Sequence, residues 1–144
     1  MKWNRRMHPP VAEAVMDDEV LVDGWIRRYE NLERDNSATM DEAENFWPYQ
    51  AFDTVVLHDP VRAFNLVLQI LAKTQNDFVL SNLAAGPLED LLARHGSVVI
   101  ERVEHHAKVN DRFRDLLAGV WRNTIAEDIW QRVESAVRLN RNIH

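Results

Sequence analysis

From Pro60 to Lys73 every residue is apolar except Arg62, Asn65, Gln69 and Lys73, which recur at intervals of three and four. A helix gathers those four into one narrow polar stripe and leaves the rest of its cylinder apolar. Such a helix persists in water only if neighbouring elements wrap it. The sequence therefore predicts a central buried helix inside a larger helical assembly. Its start is marked by Asp59, whose carboxylate can cap the first turn. Pro60 follows at the first helical position, where a missing N–H is harmless.

The flanking segments carry the same helical period. Asp17, Asp18 and Glu19 suit a helix amino terminus, and Leu21, Trp25, Tyr29 and Leu32 then recur on one face, predicting a helix from about Asp18 to Arg34. Gly24 weakens it by about 1 kcal/mol relative to alanine. Asp35 to Thr39 reads as a polar loop. Asp41 to Leu57 is helical in composition, with a kink or restart expected near Phe46 and Trp47 because Pro48 removes a donor and crowds the preceding turn. The aromatic group Phe46, Trp47, Tyr49 and Phe52 is expected in the core, Asp77 is expected to cap a short helix, and Gly86-Pro87 should end or bend it. Leu88, Leu91 and Leu92 form the buried face of the next helix, which Gly96 should stop in a left-handed turn. Ser97 can then cap Val98 to Ala107. The β-branched run Val98-Val99-Ile100 admits a strand, but Glu101, Arg102 and Glu104 favour helix. Asp111 begins another helix, and Thr124 with Glu127 fits a capping box for the last.

The fold class predicted is all-α: an irregular bundle or a short HEAT-like stack of about seven or eight short helices. The 144 residues suit one domain, with 1–16 as an amino-terminal extension and 140–144 as a frayed tail. No cysteine is present, which excludes disulfides, thiolate metal sites and cysteine nucleophiles and fits a reducing, cytoplasmic setting. No signal-peptide pattern or membrane span is expected, since the most apolar stretch, Phe64 to Ala72, falls well short of the ~20 residues a span needs. The net charge is −6. Most of the imbalance falls in the middle, where Asn36 to Gly96 holds three basic and eight acidic residues. That balance disfavours a general nucleic-acid binder and suits a partner with a basic surface.

The words Leu83-Ala84-Ala85-Gly86-Pro87-Leu88-Glu89-Asp90-Leu91-Leu92, His95-Gly96, Asp111-Arg112-Phe113-Arg114 and Gly119-Val120-Trp121-Arg122-Asn123 resemble an uncharacterised bacterial all-α domain family of unknown function, over about Phe46 to Val133. The resemblance implies a helical scaffold. It draws attention to Glu89, Asp90, Arg112, Arg114, Trp121 and Arg122 as candidate partner-binding residues. Each has a structural alternative: the carboxylates can answer a helix dipole, Trp121 can be core, and the arginines can pair with acidic neighbours across the fold.

Catalytic patterns are missing from the sequence. There is no HExxH, no GxSxG elbow, no Walker A loop and no GxGxxG. No catalytic residue and no cofactor is assigned. The densest potential metal ligands are Glu101, Glu104, His105 and His106. Of these Glu101, His105 and His106, joined by a distant His58 or His95, make the alternative reading of a small metal-dependent enzyme or regulator. The leading expectation is a non-catalytic protein-binding module of the immunity or inhibitor type. Five tryptophans add a second alternative, an oligomeric scaffold.

Overall fold

A computed structural model describes residues 17–34 and 43–139. The expected extension 1–16, the polar loop 35–39 and the tail 140–144 lie outside the described residues. Among the described residues seven α-helices follow one another: α1 (Asp18–Arg34), α2 (Ala43–His58), α3 (Pro60–Lys73), α4 (Asp77–Leu83), α5 (Glu89–Val109), α6 (Asp111–Leu117) and α7 (Glu127–Leu139). A π-helical turn, Ala84–Leu88, joins α4 to α5, and no strand occurs among the described residues. The architecture is an irregular all-α bundle.

Helix α3 occupies the centre. Ala63, Phe64, Leu66, Val67, Ile70 and Leu71 are buried against α1, α2, α5 and α6, while Asn65 and Gln69 face solvent. Asp59 Oδ1 accepts from the Arg62 N–H at 3.2 Å, and Pro60 takes the first helical position, as the sequence requires. The charged members of the stripe tether α1. Arg62 pairs with Asp18 at 2.7 Å and Lys73 with Asp23 at 2.9 Å. The acidic start of α1 therefore grips α3 as well as complementing its own dipole.

Several local expectations are corrected by packing. Asn76, rather than Asp77, is the N-cap of α4, and Asn110 caps α6, which begins at Asp111 as the sequence predicts. Their side-chain oxygens accept from the N–H of Val79 (3.0 Å) and Phe113 (3.1 Å), and the aspartates become the first helical residues. Asn76 also donates to Glu33 at 2.9 Å, so the cap ties α4 to α1. Pro48 lies inside α2 and is buried, with the helix assigned continuously across it. Gly86-Pro87 does not end a helix. The chain widens into the π turn, which accommodates a proline that has no N–H and whose ring would crowd the carbonyl one turn back. Gly96 is not left-handed, but the expected boundary is present one residue earlier: His95 is non-helical (φ −134°, ψ 33°), and two helices meet there at a kink within α5. A Cβ at Gly96 would sit 2.9 Å from Ile129 Cγ1, so the glycine beside the kink also admits α7. Thr124 makes no capping bond among the described residues. Instead Arg122 spans the α6–α7 loop, its Nε donating to the Ile125 carbonyl at 3.0 Å and its Nη1 meeting Glu127 at 2.6 Å.

Candidate functional site

Helical spacing places Trp25 and Tyr29 on one face of α1, and Tyr49 and Asp53 on one face of α2. Where these faces meet the π turn they line a pocket of about 200 Å³, with Phe52, Val56, Ala85, Gly86, Pro87 and Asp90 completing its walls. Trp25 and Phe52 are fully buried with ring centroids 5.9 Å apart, and Tyr29 lies 4.4 Å from Trp25. Tyr49 is 42% exposed and stacks on Phe46 at 5.2 Å. The predicted aromatic core group is thus split: Phe52 is core, and Tyr49 forms a rim. Arg28, itself buried, lies over the rings of Tyr29, Phe46 and Tyr49 at 5.2 to 5.9 Å, a cation–π arrangement that stiffens this wall.

Two carboxylates share the pocket. Neither Asp53 nor Asp90 forms a hydrogen bond or ion pair among the described residues. Because α5 continues from the π turn, the Glu89 N–H is already bonded to the carbonyls of Ala84 and Gly86. No free helix end is left there for Asp90 to cap, so the dipole explanation that the sequence offers for it does not apply. Burial, followed by the neighbouring Asp53, holds the Asp90 carboxyl above its usual range. Burial, then Asp53 and Asp90, likewise raises the Tyr49 phenol. One further group is unsatisfied: the indole Nε1 of Trp25 is shielded from solvent and has no hydrogen-bond partner among the described residues. A buried donor in that state costs about 1–3 kcal/mol.

The raised Asp90 carboxyl gives a pH-dependent expectation. A carboxyl whose folded-state value exceeds its unfolded value favours folding fully below the unfolded value, near ~4, and loses that contribution as pH rises through the folded value. Asp90→Asn is therefore expected to melt above the wild type at pH 7, with the two melting curves converging near pH 3.5. A variant that melts lower at pH 7 contradicts the desolvated carboxylate.

The other residues singled out from sequence are dispersed. Glu89 accepts from Asn123 Nδ2 at 2.6 Å, pinning the α6–α7 loop to the start of α5. Arg112 Nη1 and Nη2 donate to the carbonyls of Leu71 (2.6 Å) and Thr74 (2.8 Å), closing the carboxy-terminal end of α3. Arg114 donates to the Ala107 carbonyl at 3.2 Å and pairs with Asp111 at 2.8 Å. These arginines mostly satisfy backbone carbonyls, where the sequence suggested acidic partners. Trp121 is not core: it is 73% exposed, on the loop that Glu89 and Arg122 fix in place. A larger groove of about 400 Å³ lies on α4 and α6, lined by Asp77, Arg112 and Asp115 among others. Its one cation is already committed to α3, and its charges are mixed.

The histidine cluster is used in packing. The His106 ring lies 5.5 Å from Phe64 and 6.1 Å from Phe113, and burial lowers its pKa. Glu104 is gripped by Arg132 through two contacts of 2.8 and 2.6 Å, which lowers its carboxyl and joins α5 to α7. Glu101 and His105 are exposed. Among the described residues, no three histidine, aspartate or glutamate side chains gather to hold a metal ion. No helix of the described residues is long and apolar enough to cross a membrane.

Comparison with curated proteins found no match, and comparison with solved structures found none. Comparison with protein families matched residues 35–141 to DUF6869, described as a family of unknown function. The match extends beyond the stretch that carries the resemblance in sequence and includes α2 to α7. The chain belongs to this family of unknown function, DUF6869.

Proposed function

We propose that this protein is a non-catalytic protein-binding module that docks a partner with a basic surface, in the manner of an immunity or inhibitor-type protein. The observation that carries the reading is the pair of carboxylates, Asp53 and Asp90, set without ion-pair partners among the described residues beside the half-exposed Tyr49. Partly exposed aromatics flanked by charge are the usual anchors of protein interfaces, and complementary charge steers a partner's approach. Trp121, the most exposed large apolar side chain among the described residues, adds a second anchor.

The test is affinity capture from the native host at low and high ionic strength, with the double variant Asp53→Asn/Asp90→Asn as control. A partner retained at low salt, weakened at high salt and lost with the double variant supports the module, because exposed charge pairs are screened within about 8–10 Å at physiological salt. Failure to retain any partner at either ionic strength removes the reading.

A further inference from the structure

We propose that the face formed by α6, α7 and the loop between them is a self-association surface, on which two copies of this chain exchange Trp121 about a two-fold axis. Trp121 is 73% exposed, more than any other large apolar side chain among the described residues. Its loop is nonetheless held in one shape. The Val120 N–H donates to the Leu117 carbonyl at 3.1 Å and the Ile125 N–H to that of Arg122 at 2.8 Å, while Asn123 and Arg122 tie the loop to Glu89 and Glu127. A tryptophan presented on a fixed loop loses little conformational freedom on binding, which is the property of an interface anchor. Next to it, Leu117, Val120, Trp130, Val133 and Val137 line an open groove of about 220 Å³ between α6 and α7. Val120 is a wall of that groove and the residue before Trp121, so anchor and groove belong to one surface.

A second copy is the occupant that this surface fits. With anchor and groove side by side, a two-fold rotation seats each tryptophan in the other copy's groove and closes the assembly at two chains. Charge agrees with that occupant. The chain as a whole carries −6, but the segment that builds this face, Asn110 to Leu139, holds five basic and five acidic residues. Two copies meet here without the repulsion that the acidic stretch from Asn36 to Gly96 would impose, and a basic partner finds no net attraction. The groove rim carries Glu134 and Arg138, one turn apart on α7, which form no ion pair with each other or with any other described residue. A two-fold axis passing between them sets Glu134 of each copy opposite Arg138 of the other. Two exchanged tryptophans bury about 150–250 Å² each, a substantial part of the ~1,200 Å² at which stable interfaces begin. The dimer is therefore expected to be a weak one.

Sedimentation equilibrium of the full chain is the test. Monomer is expected at about 10 µM and mostly dimer at about 1 mM, the weak association of a small interface. Trp121→Ala should weaken dimerisation about thirtyfold or more, the scale of an interface hot spot. Its melting temperature at low concentration should match the wild type, because the side chain is exposed in the single chain. Glu134→Arg and Arg138→Glu should each weaken the dimer by placing like charges opposite one another, and the double variant Glu134→Arg/Arg138→Glu should restore it by recreating both cross pairs. A strict monomer at about 1 mM overturns the proposal, since even a weak interface associates there. A dimer indifferent to Trp121→Ala also overturns it, by placing the contact elsewhere. So does a partner captured from the host that is lost with Trp121→Ala while the chain alone stays monomeric, which gives the face to a different protein. The surface is separate from the Asp53–Asp90 pocket, so none of these outcomes decides the capture test on that pair.

Discussion

Phe64→Ala is expected to lower the unfolding free energy by about 3–5 kcal/mol, the range for removing a buried aromatic ring. Phe64 is 1% exposed at the middle of α3, and its ring centroid lies 5.6 Å from Phe113 on α6 and 5.5 Å from His106 on α5. Those neighbours belong to different helices that are themselves packed on one another, so the site cannot collapse without shifting whole elements. The loss combines transferred apolar area with an unfilled cavity. Against a typical total of about 5–15 kcal/mol it can remove most of the stability of the domain. Urea unfolding is the direct measurement: the midpoint should fall while the slope stays near the wild-type value. A change below about 1 kcal/mol, the level of an ordinary surface substitution, would show that α3 is not the centre of the bundle.

Two glycines are expected to respond to alanine with opposite signs. Both are in helical segments without positive φ, so intrinsic propensity favours alanine at each by about 1 kcal/mol. At Gly86 nothing lies within 4 Å of the added methyl, and Gly86→Ala should stabilise by about 0.5–1 kcal/mol. At Gly24 the added Cβ would stand 2.6 and 2.7 Å from ring atoms of Trp47. Trp47 packs against the core of α1 and α2 and has to be displaced, an overpacking that costs about 1–3 kcal/mol. The clash outweighs the propensity gain, so Gly24→Ala should be destabilising. Thermal melts of the two variants beside wild type settle the signs, and two shifts in the same direction would contradict the close approach of α1 and α2.

These cases divide what could be read locally from what could not. The span of α1, the cap at Asp59, the burial of α3 and the all-helical class follow from period and capping chemistry, because those signals act within one or two turns of the chain. Gly24 read as a weak point of α1, and Gly96 as the end of a helix. Both are contact points, with Trp47 and Ile129 respectively, and nothing in the neighbouring residues records a helix arriving from elsewhere in the chain. The candidate site shows the same division. The sequence draws attention to Asp90, but explaining it as a dipole partner requires a free helix start that the π turn removes. Asp53, Trp25 and Tyr29 read locally as ordinary helix residues, although the Tyr49–Asp53 and Trp25–Tyr29 spacings are present as a signal. Trp121, for which the sequence leaves a core position open beside a surface one, is exposed, because the Glu89–Asn123 and Arg122–Glu127 contacts hold its loop at the surface.

By itself the sequence determined that the chain becomes helices and which of them lies innermost, since apolar period and helix caps are properties of adjacent residues. Tertiary structure alone decided which helices touch, where glycine is needed, and that two aspartates from α2 and α5 meet four aromatic rings in one pocket. That meeting depends on the angle at which separate helices cross. The angle is set by the summed packing of many side chains, and no short stretch of the chain encodes it.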